Sequence, residues 1–193
     1  MARTLAACLL SGGESRRMGR DKACLPHPRG GVWLTALVEQ LRPLPMSCQV
    51  LTRHQSHVEL LGDEPAVEVL IEPPPWNGPL QALSRVLPAG PQHALLVLPV
   101  DMPLITTAVV QQLIAAWRQR PEQVAVAHDG GRLQPLFCVI PSGPPFQTQL
   151  LQQLEAGQLR WMDWLQQVPS HEVVLPAEAL LNANRPEDLA ALV

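Results

Sequence analysis

Between Leu10 and Lys22 the chain reads Leu10-Ser11-Gly12-Gly13-Glu14-Ser15-Arg16-Arg17-Met18-Gly19-Arg20-Asp21-Lys22. Adjacent glycines let backbone N–H groups approach an anion with no Cβ in the way. Arg16, Arg17, Arg20 and Lys22 set four positive charges against Glu14 and Asp21, in a chain whose net charge is −3. The chemistry this suggests is phosphate binding. Lys22 is the only lysine beside 13 arginines. A lysine offers a compact point charge on a thin stem where arginine offers a broad fork, and a tight phosphate pocket suits the former. A second candidate is Asp101, in Leu98-Pro99-Val100-Asp101-Met102-Pro103. A carboxylate just past a buried strand can hold Mg²⁺, which takes one or two carboxylates and completes its shell with phosphate oxygens and water. The plainer alternatives are a solvated basic loop and a turn aspartate.

The loop is neither of two familiar phosphate motifs. A P-loop needs G-x-x-x-x-G-K-[ST], but five residues separate Gly13 from Gly19 and no Lys-Ser/Thr follows. The dinucleotide fingerprint G-x-G-x-x-G fails because the first glycines are adjacent.

The elements that must position these residues follow from periodicity. Leu5–Leu10, Cys48–Leu51, Val67–Ile71 and His93–Leu98 are short apolar runs that read as buried strands, the last the strongest. Trp33, Leu34, Leu37, Val38 and Leu41 recur at helical spacing before Pro43. Pro79 opens a helix carrying Leu80, Leu83 and Leu87, and Thr106 or Thr107 caps another carrying Val109, Val110, Leu113, Ile114 and Trp117. Gln123–Ala127 and Leu133–Ile140 flank Asp129-Gly130-Gly131 as antiparallel strands. A helix around Leu150, Leu151 and Leu154, a strand over His171–Leu175 and a helix from Pro186 complete the pattern. Strands alternating with helices predict an open, mostly parallel sheet covered on both faces, with ligands beyond the carboxyl ends of its strands.

Composition excludes several classes. The sequence has no run of about 18 apolar residues, so no membrane span is expected. The net charge of −3 argues against a nucleic-acid binder. The four cysteines are scattered, without metal spacing, and read as reduced thiols. The apolar start runs into a cationic loop rather than a cleavage site, so a cytoplasmic location is expected. His54 and His57, three apart on a predicted helix, read as polar rings on a helix surface, no third metal ligand being in view. Trp161 and Trp164 read as core. Trp76, beside Asn77-Gly78, is the candidate for a lid.

The first motif resembles the signature of the molybdenum cofactor guanylyltransferases. Gly78-Pro79-Leu80, Pro99-Val100-Asp101-Met102-Pro103, Gln134-Pro135-Leu136-Phe137 and Asn182-Ala183-Asn184-Arg185-Pro186-Glu187-Asp188-Leu189 match in order and spacing, so the resemblance runs from residue 5 to about residue 190. It implies a three-layer α/β/α, Rossmann-like nucleotidyltransferase fold. It also implies a single domain over 1–193, nucleotide-binding in its N-terminal half and molybdopterin-binding in its C-terminal half. The implied reaction transfers GMP from GTP to the terminal phosphate of molybdenum-molybdopterin and releases pyrophosphate. Lys22, Arg16, Arg17 and Asp101 are the implied catalytic residues, with Asp101 holding Mg²⁺. Leu10, Ser11, Gly12, Gly13, Thr52, Glu72, Pro73 and Gly78 join Lys22 and Asp101 as nucleotide contacts. Gln134, Pro135, Leu136, Asn182 and Asn184 face molybdopterin. Adjacent glycines at 12 and 13 favour guanine over the cytidylyl relatives, in which alanine usually precedes the second glycine.

This chain departs from the family pattern twice, with Thr52 where many relatives carry Asn and Pro73 where many carry Asp. Either departure loosens the base assignment more than the reaction class, and Glu72 can take over a base or ribose contact there. The partners implied are GTP, molybdenum-molybdopterin and transient contacts with cofactor-biosynthesis proteins and apo-molybdoenzymes, with the protein itself a monomer. A cytidylyl or sugar-phosphate nucleotidyltransferase, or a non-catalytic nucleotide-binding module, remains open on the residues alone.

Overall fold

The computed structural model describes residues 3–13, 20–62 and 64–183; Arg16, Arg17, Asn184 and the helix expected from Pro186 lie outside them. Seven strands form one sheet in the order β3-β2-β1-β4-β6-β5-β7. They are β1 (Thr4–Leu10), β2 (Ser47–Thr52), β3 (Val67–Ile71), β4 (His93–Pro99), β5 (Val124–His128), β6 (Leu133–Pro141) and β7 (Ser170–Val174). The pairs β1/β2, β1/β4, β2/β3 and β5/β7 are parallel, and β6 runs against both β4 and β5. The mostly parallel α/β fold expected from the sequence is therefore present.

Side-chain alternation along the strands builds two cores. Ala7 and Leu9 of β1, with Ala94, Leu96 and Leu98 of β4, face α1 (Trp33–Leu41) and α4 (Thr107–Gln119). Cys8, Leu95 and Val97 point the other way. There they meet α3 (Pro79–Val86), α5 (Phe146–Glu155) and α6 (Trp161–Leu165). The remaining helix, α2 (Gln55–Leu61), follows β2. Phe137 on one face and Trp164 on the other are fully buried. Each contributes about 2–3 kcal/mol by the usual burial scale, so the scaffold does not depend on the charged groups at its edge.

Local signals explain the element ends. Gly78 precedes α3 at φ 93°, a conformation that suits glycine, and Pro79 follows at the first turn. Thr106 caps α4 by accepting from the Val109 N–H. Asp129 Oδ1 accepts from the N–H groups of Gly131 and Arg132, which closes the β5–β6 hairpin. The short α6 lacks a sequence cap; Trp161 and Trp164, edge to face at 5.6 Å, hold it against α5. Among the described residues no helix is long and apolar enough to cross a membrane.

Candidate active site

Strand order places the site. From β1 the chain crosses to β2 on one side, while β4 lies on the other, so their carboxyl ends diverge and leave a crevice. The register sets Leu10 beside Pro99. The Val100 N–H donates to Leu10 O and the Ser11 N–H donates to Leu51 O, which fixes the β1 exit against the ends of β4 and β2. A cavity of about 610 Å³ opens there. Leu10, Ser11, Gly12, Gly13, Lys22, Glu72, Gly78, Asp101 and Leu136 all line it, as do Asp21, Arg53 and Trp76.

Lys22 and Asp101 face each other across the crevice. Nζ of Lys22 lies 3.6 Å from Oδ2 of Asp101. Burial pushes the Asp101 carboxyl above the usual carboxylate range, and the Lys22 ammonium opposes that shift. Lys22 opens a 3₁₀ turn, Lys22–Cys24, whose cap is Asp21. One oxygen of Asp21 accepts from the Ala23 N–H at 3.0 Å. The other lies 2.6 Å from Nε2 of His57. Partial burial works to raise the Asp21 carboxyl, but the hydrogen bond and charge of His57, with the Ala23 N–H, hold it below its ordinary value.

The wall opposite is built from Glu72, Arg53 and Trp76. Arg85 donates to Oε1 of Glu72 at 2.5 Å and to Pro75 O at 2.9 Å. The Trp76 indole N–H donates to Glu72 O at 2.9 Å, and the Arg53 guanidinium lies over the Trp76 ring, 5.5 Å from its centroid. Burial raises the Glu72 carboxyl, against the pull of Arg85 and Arg53. A Cβ on Gly12 would stand 3.2 Å from Oε2 of Glu72. Gly12 is thus a close approach rather than a turn.

Two nucleotide contacts implied by the family resemblance stand off the cavity wall. Thr52 is fully buried, and its hydroxyl lies 2.7 Å from Nδ1 of His57 and 3.2 Å from Ser11 O. It braces Ser11 and His57 from behind the cavity wall. Pro73 is exposed but stands outside the cavity wall. The reading of His57 as a surface ring is corrected: it is fully buried, between Ser11, Asp21 and Thr52. Asp21, Cys24 and His57 each bring one potential metal-ligand atom within 4.8 Å of the others. At 2.6 Å, however, Asp21 and His57 are already hydrogen-bonded partners.

The expected molybdopterin residues divide. Leu136 lines the cavity. Asn182 donates to Oε1 of Gln134 at 2.8 Å, and Gln134 donates to Oδ2 of Asp129 at 2.8 Å, so Gln134 spends both ends of its amide inside the protein. The Ala183 N–H donates to Asp101 O at 2.9 Å, which carries the C-terminal segment to the crevice. Pro135 is half-buried and outside the cavity wall.

Known proteins agree with this architecture. The family model for the MobA-like NTP transferase domain matches residues 7–171. A probable molybdenum cofactor guanylyltransferase of Rhodopirellula baltica is 34% identical over 96% of this chain and 90% of its own. A crystal structure of molybdopterin-guanine dinucleotide biosynthesis protein A from Archaeoglobus fulgidus superposes with a TM-score of 0.72 at 17% identity, covering 97% of this chain and 96% of that one. A Mycobacterium tuberculosis protein solved in complex with manganese shares the fold at a TM-score of 0.68 and 15% identity, over 100% of this chain and 98% of that one. By a family match over most of its length and a relative of that similarity, this chain belongs to the MobA-like NTP transferase family and is a nucleotidyltransferase.

Proposed function

We propose that the chain transfers GMP from GTP to the terminal phosphate of molybdenum-molybdopterin. A phosphate oxygen of the acceptor bonds to the α-phosphorus, the bond to the β-phosphate oxygen breaks, and pyrophosphate leaves. The observation that carries this reading is the Lys22–Asp101 pair, 3.6 Å apart at the mouth of a cavity between β1 and β4. The curated relatives named as molybdenum cofactor guanylyltransferases supply the substrate class.

The nucleophile is an anion at neutral pH, so no general base is required, and the protein's work is alignment and charge neutralisation. Lys22 neutralises the departing pyrophosphate, with Arg16 and Arg17 of the same loop assisting. Gly12 and Gly13 admit the nucleotide close to the backbone. Glu72 offers a carboxylate edge to the base, a role that Pro73 has no side-chain donor or acceptor to fill. Leu136 lies on the acceptor side, with the Gln134–Asn182 bridge behind it, and the family motif assigns Asn184 to the pterin as well. One domain then divides its substrates, nucleotide to the N-terminal half and pterin to the C-terminal half.

Asp101 suits a divalent cation. It is a hard oxygen donor on the cavity wall, and burial disfavours its charge unless a cation stands beside it. Bound there, Mg²⁺ supplies neutralisation of the reacting phosphates. The reading includes a cytoplasmic monomer that meets cofactor-biosynthesis proteins and apo-molybdoenzymes transiently.

Pyrophosphate release tests the proposal. Purified protein with Mg²⁺ and molybdopterin should release pyrophosphate with GTP and not with CTP, ATP or UTP. Preference for CTP would make it a cytidylyltransferase. Release with none, alongside stabilisation of the fold by GTP, would make it a binding module.

A further inference from the structure

We infer that His57 is a positioning residue that aims Lys22 into the crevice through Asp21. The inference takes the role of Lys22 from the function proposed above. His57 is fully buried and does not line the cavity. Its ring nonetheless joins three segments of the chain. Nε2 lies 2.6 Å from Asp21, Nδ1 lies 2.7 Å from the Thr52 hydroxyl at the end of β2, and Nδ1 lies 3.3 Å from the Ser11 hydroxyl just past β1.

The direction of these bonds follows from the groups. An ionised carboxylate only accepts, so Nε2 carries the hydrogen and donates to Asp21. On the other side of the ring Nδ1 faces the hydroxyls of Thr52 and Ser11, Thr52 the nearer. The imidazole therefore fixes one carboxylate oxygen of Asp21 while the other caps the Lys22–Cys24 turn at the Ala23 N–H. Lys22 stands on that turn and reaches Asp101 at 3.6 Å. A side chain whose charge must meet a leaving group gains from being held on its aim, because misplacement by about 1 Å can cost about 10²-fold. Around the ring stand Asp21, Cys24, Ser11, Thr52 and the tilted ring of His54 at 5.1 Å.

The sole lysine gives a direct test. Reductive ¹³C-methylation labels only Lys22 and the N-terminal amine. His57→Phe keeps a buried ring and removes both nitrogens; His57→Gln keeps an N–H donor. In folded protein, the Lys22 methyl signal should move toward that of free lysine in His57→Phe and return in His57→Gln. In pyrophosphate release, His57→Phe should lower kcat by about 10–100-fold with KM for GTP within about threefold, and His57→Gln should recover most of it. In a Lys22→Ala background the same His57→Phe change should cost less than about twofold, since residues acting as a unit are not additive.

An unmoved Lys22 signal, or losses that multiply in the double variant, would overturn the inference while leaving the proposed function intact. If His57→Phe fails to fold, His57→Gln decides: a wild-type Lys22 signal and rate support the donor role, and a free-lysine signal in folded protein overturns it. If wild-type protein releases no pyrophosphate, the proposed function fails, and the Lys22 signal still reports whether His57 aims the side chain.

Discussion

Lys22 and Asp101 meet at 3.6 Å across the crevice between β1 and β4, both on the wall of a cavity. At the start of β6, Gln134 and Asn182 meet at 2.8 Å and spend their polar ends on each other and on Asp129. Both clusters sit on the same edge of the sheet and come from segments with similar family motifs. Both pairs bond to their neighbours; the difference is that Lys22 and Asp101 do so on the cavity wall and Gln134 and Asn182 do so off it. Motif membership alone does not separate the two.

The sharpest way to break this contrast is at Lys22. Lys22→Ala should lower kcat by about 10²–10³-fold, the loss typical of removing one preorganised group from developing charge. Its melting temperature should stay within about 2 °C of wild type, because the two cores carry the fold. Stopped assays of pyrophosphate with circular-dichroism melting give both numbers.

Asp101→Asn should cost about 10²-fold in turnover and, unlike most active-site changes, should raise the melting temperature at neutral pH. The sign follows from linkage. A carboxyl whose folded-state value is raised, as burial raises that of Asp101, contributes stability below its unfolded value, near 3.9, and loses it as pH rises through the folded value. The ionised Asp101 is then a cost that the amide removes. Asp21 is the mirror case. Held low by His57 despite its burial, it contributes stability above about 3.9 that is lost as pH falls through its folded value, so Asp21→Asn should lower the melting temperature at neutral pH. Melting curves of both variants from about pH 3 to about pH 8 check the two signs. A fall for Asp101→Asn would mean its charge is structural.

Gly12→Ala should act on nucleotide access alone. Its Cβ would press on Glu72 Oε2 at 3.2 Å, and Arg85 holds that carboxylate at 2.5 Å, so it yields little. About 1 kcal/mol of crowding gives a KM for GTP raised about fivefold with kcat near wild type. The smallest effect on catalysis should come from Asn182→Ala. Removing its bond to Gln134 should cost about 1 kcal/mol of stability by denaturant titration and change KM for GTP by less than about twofold. A large loss of GTP binding there would put the brace in the nucleotide site.

Much of this was legible in residues whose meaning is local. An apolar run ending in Ser11-Gly12-Gly13 announces a strand that opens onto the cavity, and Asp101 after the most apolar strand announces the edge of the sheet. Asp129-Gly130-Gly131 announces its hairpin. What was not legible depends on elements distant in sequence. His57 looks like a polar ring on a short helix until Ser11, Asp21 and Thr52 gather around it. Thr52 is a ligand contact only by resemblance to relatives that carry Asn there, and its hydroxyl is turned inward to His57 and Ser11. The place of β6, inserted between β4 and β5, follows from long-range pairing that periodicity does not encode. The short α6 carries no side-chain cap to announce it in the sequence.

That inserted strand has a practical consequence. Because β6 runs against its neighbours, its beginning rather than its end lies where β4 finishes, with Val97 beside Cys138 and Leu136 already at the cavity. The tight β5–β6 turn is therefore carried to the ligand edge, while both cores lie behind it. It is the natural graft point for an engineer: residues inserted between Gly130 and Arg132 would remodel access for the second substrate without disturbing the buried packing of the sheet, and swapping this hairpin between relatives is a route to new acceptors.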